Sequence, residues 1–190
     1  MVEITVELLQ GAAAVLSAFT SGGILNISIM TIPTLVLPNP KSQDRPSSSP
    51  SPAYIAHQWR NVYDVGKMIY PALALTASIL DLAAARVCYH SQGMGPEERS
   101  KTASLSVAAA LLTIFIVPYT ILVIMPVNRK LDAYRVPRAV EGKKGEMTGL
   151  PDDEDALSAL LASWSRKNFV RGLFPLMGAV LGMAMLLNLL

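Results

Sequence analysis

The chain has 190 residues, 16 Lys and Arg against 14 Asp and Glu, a net charge of +2 and a hydrophobic fraction of 52%; its mean hydropathy of +0.40 is high for a water-soluble domain. So small a charge, with no Lys/Arg stripe interleaved with aromatics, excludes a nucleic-acid partner. Cys88 is the sole cysteine and His57 and His90 fall in different connecting segments, which excludes an internal disulfide and argues against a His/Cys metal centre.

The apolar residues gather into four blocks, approximately 6–37, 62–88, 103–127 and 169–190. Each reaches the roughly 20 residues that a helix needs to cross about 30 Å of hydrocarbon. Backbone amides in lipid must be satisfied within their own segment, so the pattern predicts an all-α, integral-membrane four-helix bundle forming a single domain over residues 1–190. The N-terminal "MVEITVELLQ" has two glutamates and no basic residue before a long apolar stretch, so a retained span is expected and not a cleaved signal.

In the first span, Ala14, Ala18, Gly22 and Gly23 form a small-residue stripe that Asn26 continues, as an interhelical hydrogen-bonding group or as a cavity-lining one; Pro33 and Pro38 are expected to end the span. The Pro/Ser-rich "PNPKSQDRPSSSPSPA" after it is a loop. Ser51 and Pro52 suit the N-cap and first position of helix two. That helix carries Trp59, Tyr63, Gly66 and Tyr70 on one face, either an interfacial belt and packing surface or the wall of a ligand site. On an adjoining face Arg60, Asp64 and Lys67 are spaced for ion pairs; an unpaired Asp64 would instead be a proton acceptor at a pocket mouth. Asp81, farther along, is read as an interfacial residue or a partner for another helix.

The third span closes in "VPYTILVIMPVNRKL", where Pro118 and Pro126 each remove a backbone donor. A bend near Pro126 would bring Thr120 and Asn128 towards one direction, with C-capping by Asn128 as the competing reading. After a charged connection ending in "PDDEDA", the fourth helix begins ahead of its apolar block and places Trp164, Asn168, Arg171 and Pro175 on one face. Arg171 either snorkels to lipid phosphate or is a fixed cation aimed into a pocket, able to hold a phenolate or enolate oxygen.

Leaving out Lys67, twelve Lys and Arg flank the side of the first and third loops and three flank the other. Those loops are therefore expected in the cytoplasm and both termini on the opposite face, with the endoplasmic reticulum or another internal membrane as the expected location. No internal repeat is evident, which disfavours a repeat-built transporter.

"WRNVYDVG" (59–66), "PYTILVIMPVNRKL" (118–131) and "WSRKNFVRG" (164–172), in that order on four apolar spans, resemble the fungal anthrone oxygenases, small integral-membrane proteins of polyketide biosynthesis. The resemblance implies oxidation of a polyketide anthrone to the anthraquinone with dioxygen as co-substrate. The sequence has no dinucleotide glycine fingerprint, haem-attachment motif or cluster of metal ligands, so no cofactor and no metal is expected. An anthrone's activated methylene loses a proton to give an electron-rich anthrolate that reacts with dioxygen directly. The protein then needs a base, an anion-stabilising group and an apolar slot. On that chemistry Trp59, Tyr63, Met125 and Trp164 are expected to form the slot, and Arg171 with Asn128 and Asn168 to hold the oxyanion. His57 and Asp64 are the candidate bases, with Tyr119 as proton relay. The expected partners are the anthrone, the lipid bilayer and polyketide-pathway enzymes. The alternative function is a non-catalytic membrane scaffold holding biosynthetic enzymes through the basic third loop.

Overall fold

The computed structural model describes residues 2–36, 50–91, 95–134 and 154–189, and among them every regular element is helical. Four helices are long and apolar enough to cross a membrane: α1 (residues 2–36), α2 (Pro52–His90), α3 (Pro96–Ala133) and α4 (Glu154–Leu186). The chain is an all-α, multi-pass membrane protein. α1 packs on α2 and α4, α2 on α3, and α3 on α4, while the α2–α4 diagonal is nearly bare. Consecutive antiparallel helices thus form an up-down ring, the arrangement that short connections favour.

Local chemistry explains the helix starts. The Ser51 hydroxyl accepts the Tyr54 N–H at 3.3 Å, and Pro52 follows with the fixed φ and missing donor that suit a first turn. α3 begins at Pro96 with Glu97 and Glu98 at the positive end of its dipole. α2 and α4 both begin well before their apolar blocks, so the two helices continue past the expected membrane boundary at the end where the site lies.

The bundle interior is divided. Towards the chain termini it is built from small residues, among them Ala13, Ala77, Ala84 and Ala109, with hydroxyls bridging the helices: Ser17 Oγ meets Thr113 Oγ1 at 3.0 Å, Ser78 Oγ donates to Ala110 O, and Gln10 Nε2 donates to Ser106 Oγ. Close backbone approach and interhelical hydrogen bonds replace the hydrophobic drive that lipid cannot supply. Gly178 is the tightest point, where a Cβ would strike Thr113 Oγ1. At the other end the interior widens into large side chains, with Trp59, Ile124, Leu131, Leu157, Leu161 and Trp164 forming one cluster.

The small-residue stripe on α1 is corrected. Ala18, Gly22 and Asn26 are exposed, and the inward face runs instead through Gln10, Ala14, Ser17, Ser21, Ile24 and Ser28. Asn26 therefore neither bridges helices nor lines a cavity. In lipid the outside is as apolar as the inside, so the rule that polar means outward is lost, and the serines mark the interior. Pro33 does not end the span either, since helix continues to Val36; Pro38 lies outside the described residues.

The prolines act on the turns before them. A π turn occupies Ile27–Thr31, with the Ile32 N–H bonded to Ile27 O, and a second occupies Thr120–Ile124, with the Met125 N–H bonded to Thr120 O. Each precedes a proline, Pro33 or Pro126, whose ring would clash with the carbonyl four residues back in a regular helix. The wider turn relieves that clash and rotates the helix beyond it. In α1 the Ile32 N–H is spent on Ile27, and Pro33 has no N–H to give Ser28 O; Ser165 Oγ on α4 donates to that carbonyl at 2.7 Å. Helix then continues from Met125 through Asn128 to Ala133, so Asn128 is not a C-cap.

Candidate functional site

Both π turns, the widened interior and the aromatic faces of α2 and α4 meet at one end of the bundle. Trp59 and Trp164 are fully buried and pack edge to face, their ring centroids 6.0 Å apart at 85°. Tyr63 stacks on Trp59 at 5.7 Å. The aromatic row of α2 is thus an internal wall and not an interfacial belt. One turn deeper, Tyr70 closes the gap at Gly66 and lies so near Gly23 that a Cβ there would come 2.5 Å from its ring.

Two asparagines sit beside this wall, and their orientations are fixed by their partners. Trp164 Nε1 donates to Asn128 Oδ1 at 2.7 Å; an indole can only donate, so the Asn128 oxygen must face it and Nδ2 is left as a buried donor without an acceptor. Asn168 is turned the other way. Its Nδ2 donates to Ile24 O at 3.1 Å and to Ser28 Oγ at 2.8 Å, leaving Oδ1 as a buried acceptor without a donor. Ser28 and Thr120, which sequence reasoning does not single out as site residues, belong to the two π turns and hold Asn168 and Arg171 respectively. The readable signal is a hydroxyl five or six residues ahead of a proline inside an apolar span.

Arg171 lies one turn beyond Asn168 and is only 6% exposed. Nη1 makes one long hydrogen bond, 3.3 Å to Thr120 Oγ1, and Nε has no partner. Among the described residues no carboxylate pairs with it; the groups in its field are the phenols of Tyr63, Tyr70 and Tyr119. Buried this far it does not snorkel. Trp59 Nε1 is also a buried donor without an acceptor. The residues around the tryptophans thus carry three unused donors, on Trp59, Asn128 and Arg171, against one unused acceptor on Asn168. Such a surplus suits an anionic or carbonyl oxygen.

Other expected site residues stand apart. His57 is exposed, its ring bonded to the neighbouring Asn61 at 3.3 Å, because two residues along a helix turn it about 200° from Trp59. Met125 is 37% exposed and faces outward, since the π turn shifts the register of α3 and brings Ile124, Val127 and Asn128 inside. Asp64 is paired with both Arg60 at 2.9 Å and Lys67 at 2.6 Å, as the spacing predicts. Arg60 also reaches Asp132 on α3 at 2.6 Å, a tie that only the folded bundle reveals. Tyr119 packs on Phe174 with ring centroids 5.3 Å apart and stays within the field of Arg171. Asp81 is buried far from this end, its Oδ1 unpartnered.

Among the described residues, His, Cys, Asp and Glu nowhere gather in threes suited to a metal ion. A cavity of about 710 Å³ opens at the opposite end of the bundle, walled by Glu7, Gln10, Glu97, Glu98 and Lys101 among others. It contains none of the unpartnered buried donors, so the chemistry points to the tryptophan end.

Comparison with known proteins identifies the family. A family model described as anthrone oxygenase matches residues 59–181, a stretch that runs from Trp59 past Arg171. The chain is 28% identical to anthrone oxygenase AgnL2 of Paecilomyces divaricatus over 91% of this chain and 92% of that one. It is 31% identical to anthrone oxygenase encC of Aspergillus fumigatus, covering 86% and 83%, and 26% identical to monooxygenase hypC of Dothistroma septosporum, covering 87% and 75%. No solved structure matches. With the model spanning well over half its length and relatives aligned nearly end to end, the chain belongs to the anthrone oxygenase family.

Proposed function

We propose that this protein oxidises an aromatic polyketide anthrone to the anthraquinone, with dioxygen as oxidant and no resident cofactor. The observation that carries the reading is Arg171: a buried guanidinium without a carboxylate partner among the described residues, in the same half of the bundle as two further buried donors that lack acceptors. A fixed cation and preorganised N–H groups stabilise an enolate oxygen far better in a water-poor site than in solvent. The anthrone methylene gives up a proton, and the charge spreads over the substrate's carbonyl and ring oxygens, which Arg171 and the Asn128 and Trp59 N–H groups meet at successive levels of the bundle. The electron-rich carbon then gives two electrons to dioxygen, forming a C–O bond and, with a proton, a hydroperoxide. Loss of water leaves the second carbonyl, so anthrone and dioxygen become anthraquinone and water.

Trp59, Tyr63 and Trp164 supply the apolar faces for the flat substrate, and Asn168 Oδ1 accepts from a substrate hydroxyl. Stabilising the enolate oxygens by Arg171 and the Asn128 and Trp59 N–H groups strengthens the C–H acid and reduces the demand on a base. Tyr119 relays the methylene proton, which ends on the peroxide oxygen; Asp64 is engaged by Arg60 and Lys67 and is not left free to accept it. The basic loops face the cytoplasm by the twelve-to-three excess of Lys and Arg, which puts the site at the cytoplasmic end of the bundle in an internal membrane.

The test is to incubate purified protein with emodin anthrone without oxygen, admit dioxygen, and measure quinone formation against a protein-free blank, with and without a metal chelator. A rate above blank that resists chelation is expected. A rate equal to the blank overturns the activity, and a chelator-sensitive rate overturns the cofactor-free step. Deleting residues 136–150 is expected to spare turnover; a scaffold acting through that loop would lose its function.

A further inference from the structure

We propose that Trp164 is a positioning residue: its indole N–H orients the Asn128 carboxamide so that the NH2 group, and not the oxygen, is offered to the substrate oxygen. The inference rests on the proposed anthrone oxidation. The two ends of a carboxamide have nearly the same shape, so an asparagine beside an oxyanion helps or harms according to which end faces it. The bond from Trp164 Nε1 to Asn128 Oδ1 is 2.7 Å long, buried at both ends, and links α4 to α3. It decides that end, because the reversed amide would set two donors against each other. The site's other orphaned donors, Trp59 Nε1 and Arg171 Nε, have the polarity that this orientation gives Asn128 Nδ2. Asn168 shows that the choice is local, since Ile24 O and Ser28 Oγ hold it with the opposite end free.

The sequence alone suggests only that Trp164 walls the slot. Acting through Asn128, its N–H has a consequence that a wall lacks: phenylalanine keeps an aromatic face for the substrate, and the remaining loss, that of the N–H, should vanish once Asn128 is gone.

The experiment is a double-mutant cycle of Trp164→Phe and Asn128→Ala on the full chain in detergent, with two measurements. One is kcat/KM for anthrone oxidation. The other is the Kd of 1,8-dihydroxyanthraquinone, an oxygen-inert probe whose carbonyl lies between hydroxyls. Each single variant is expected to lose about tenfold or more, the size of one buried hydrogen bond to a charged group, and the double variant no more than Asn128→Ala alone. Losses that multiply in the double variant, or an unchanged Trp164→Phe protein, overturn the proposal. Should Trp164→Phe fail to fold, a benzothienylalanine incorporated at position 164 decides, because it keeps the shape of the indole but has no N–H to give Asn128 Oδ1. A loss matching Asn128→Ala supports positioning, and wild-type behaviour overturns it. If the wild-type protein does not oxidise anthrone, the functional reading fails, and the cycle on Kd alone judges the positioning.

Discussion

Replacing Arg171 with methionine should make the protein more stable and nearly inactive. The structure lets both signs be worked out. The guanidinium is almost wholly buried, has no carboxylate partner among the described residues, and makes a single long hydrogen bond to Thr120. Losing that bond costs about 1 kcal/mol. Thr120 is not stranded, since its hydroxyl donates to Ile116 O at 2.6 Å. Against this, a charged side chain at the centre of a membrane helix carries a penalty of about 2.5–3.5 kcal/mol on insertion scales, an upper limit for Arg171 near the edge of its apolar block. Methionine, unbranched and of similar reach, fills the space without the charge. The net is a stabilisation of at most about 1.5–2.5 kcal/mol, the difference of those two figures. Activity moves the other way, because a lost oxyanion contact typically lowers kcat about 10²- to 10³-fold. Unfolding in detergent, monitored by tryptophan fluorescence, reads the first quantity, and quinone formation corrected for air oxidation reads the second. A variant that loses stability and activity together would show Arg171 to be a structural strut, and one that keeps full turnover would remove it from the chemistry.

His57→Ala should turn over anthrone at the wild-type rate, as its ring lies on the outer surface bonded to Asn61; a drop of about tenfold or more in kcat would restore it as the base. Gly178→Ala should destabilise the bundle by about 1–3 kcal/mol, because its methyl group meets Thr113 and Ala109 O across α3 and α4, whereas Gly22→Ala should be neutral, with no atom within 4 Å; thermal unfolding in detergent compares the pair. Ser165→Ala should cost about 1 kcal/mol by leaving Ser28 O without a donor, and Pro33→Ala should suppress that loss by restoring an N–H to α1, a coupling that the same unfolding assay would detect or refute.

Much of the site was legible because helical spacing is rigid. Trp59, Tyr63 and Tyr70 on α2, and Trp164, Asn168 and Arg171 on α4, lie at intervals of three, four or seven residues, and such intervals place side chains on one face whatever the tertiary context. The ion pairs of Asp64 are legible for the same reason. His57 and Met125 face away from the cluster because proximity in sequence to Trp59 and Asn128 says nothing about direction around the helix. For Met125 the π turn before Pro126 also altered the register that a regular helix would have kept.

The sequence by itself determined four apolar helices, the Ser51 cap of α2, and the faces carrying indole, amide and guanidinium, since segment length, capping chemistry and helical period are properties of neighbouring residues. Only the tertiary structure decided which face of α1 points inward, because lipid removes the contrast between an apolar core and a polar surface. It also decided which end of each asparagine is free. Those choices depend on Trp164 meeting Asn128 across 36 residues of chain and on Asn168 meeting Ile24 across 144, contacts set by helix packing.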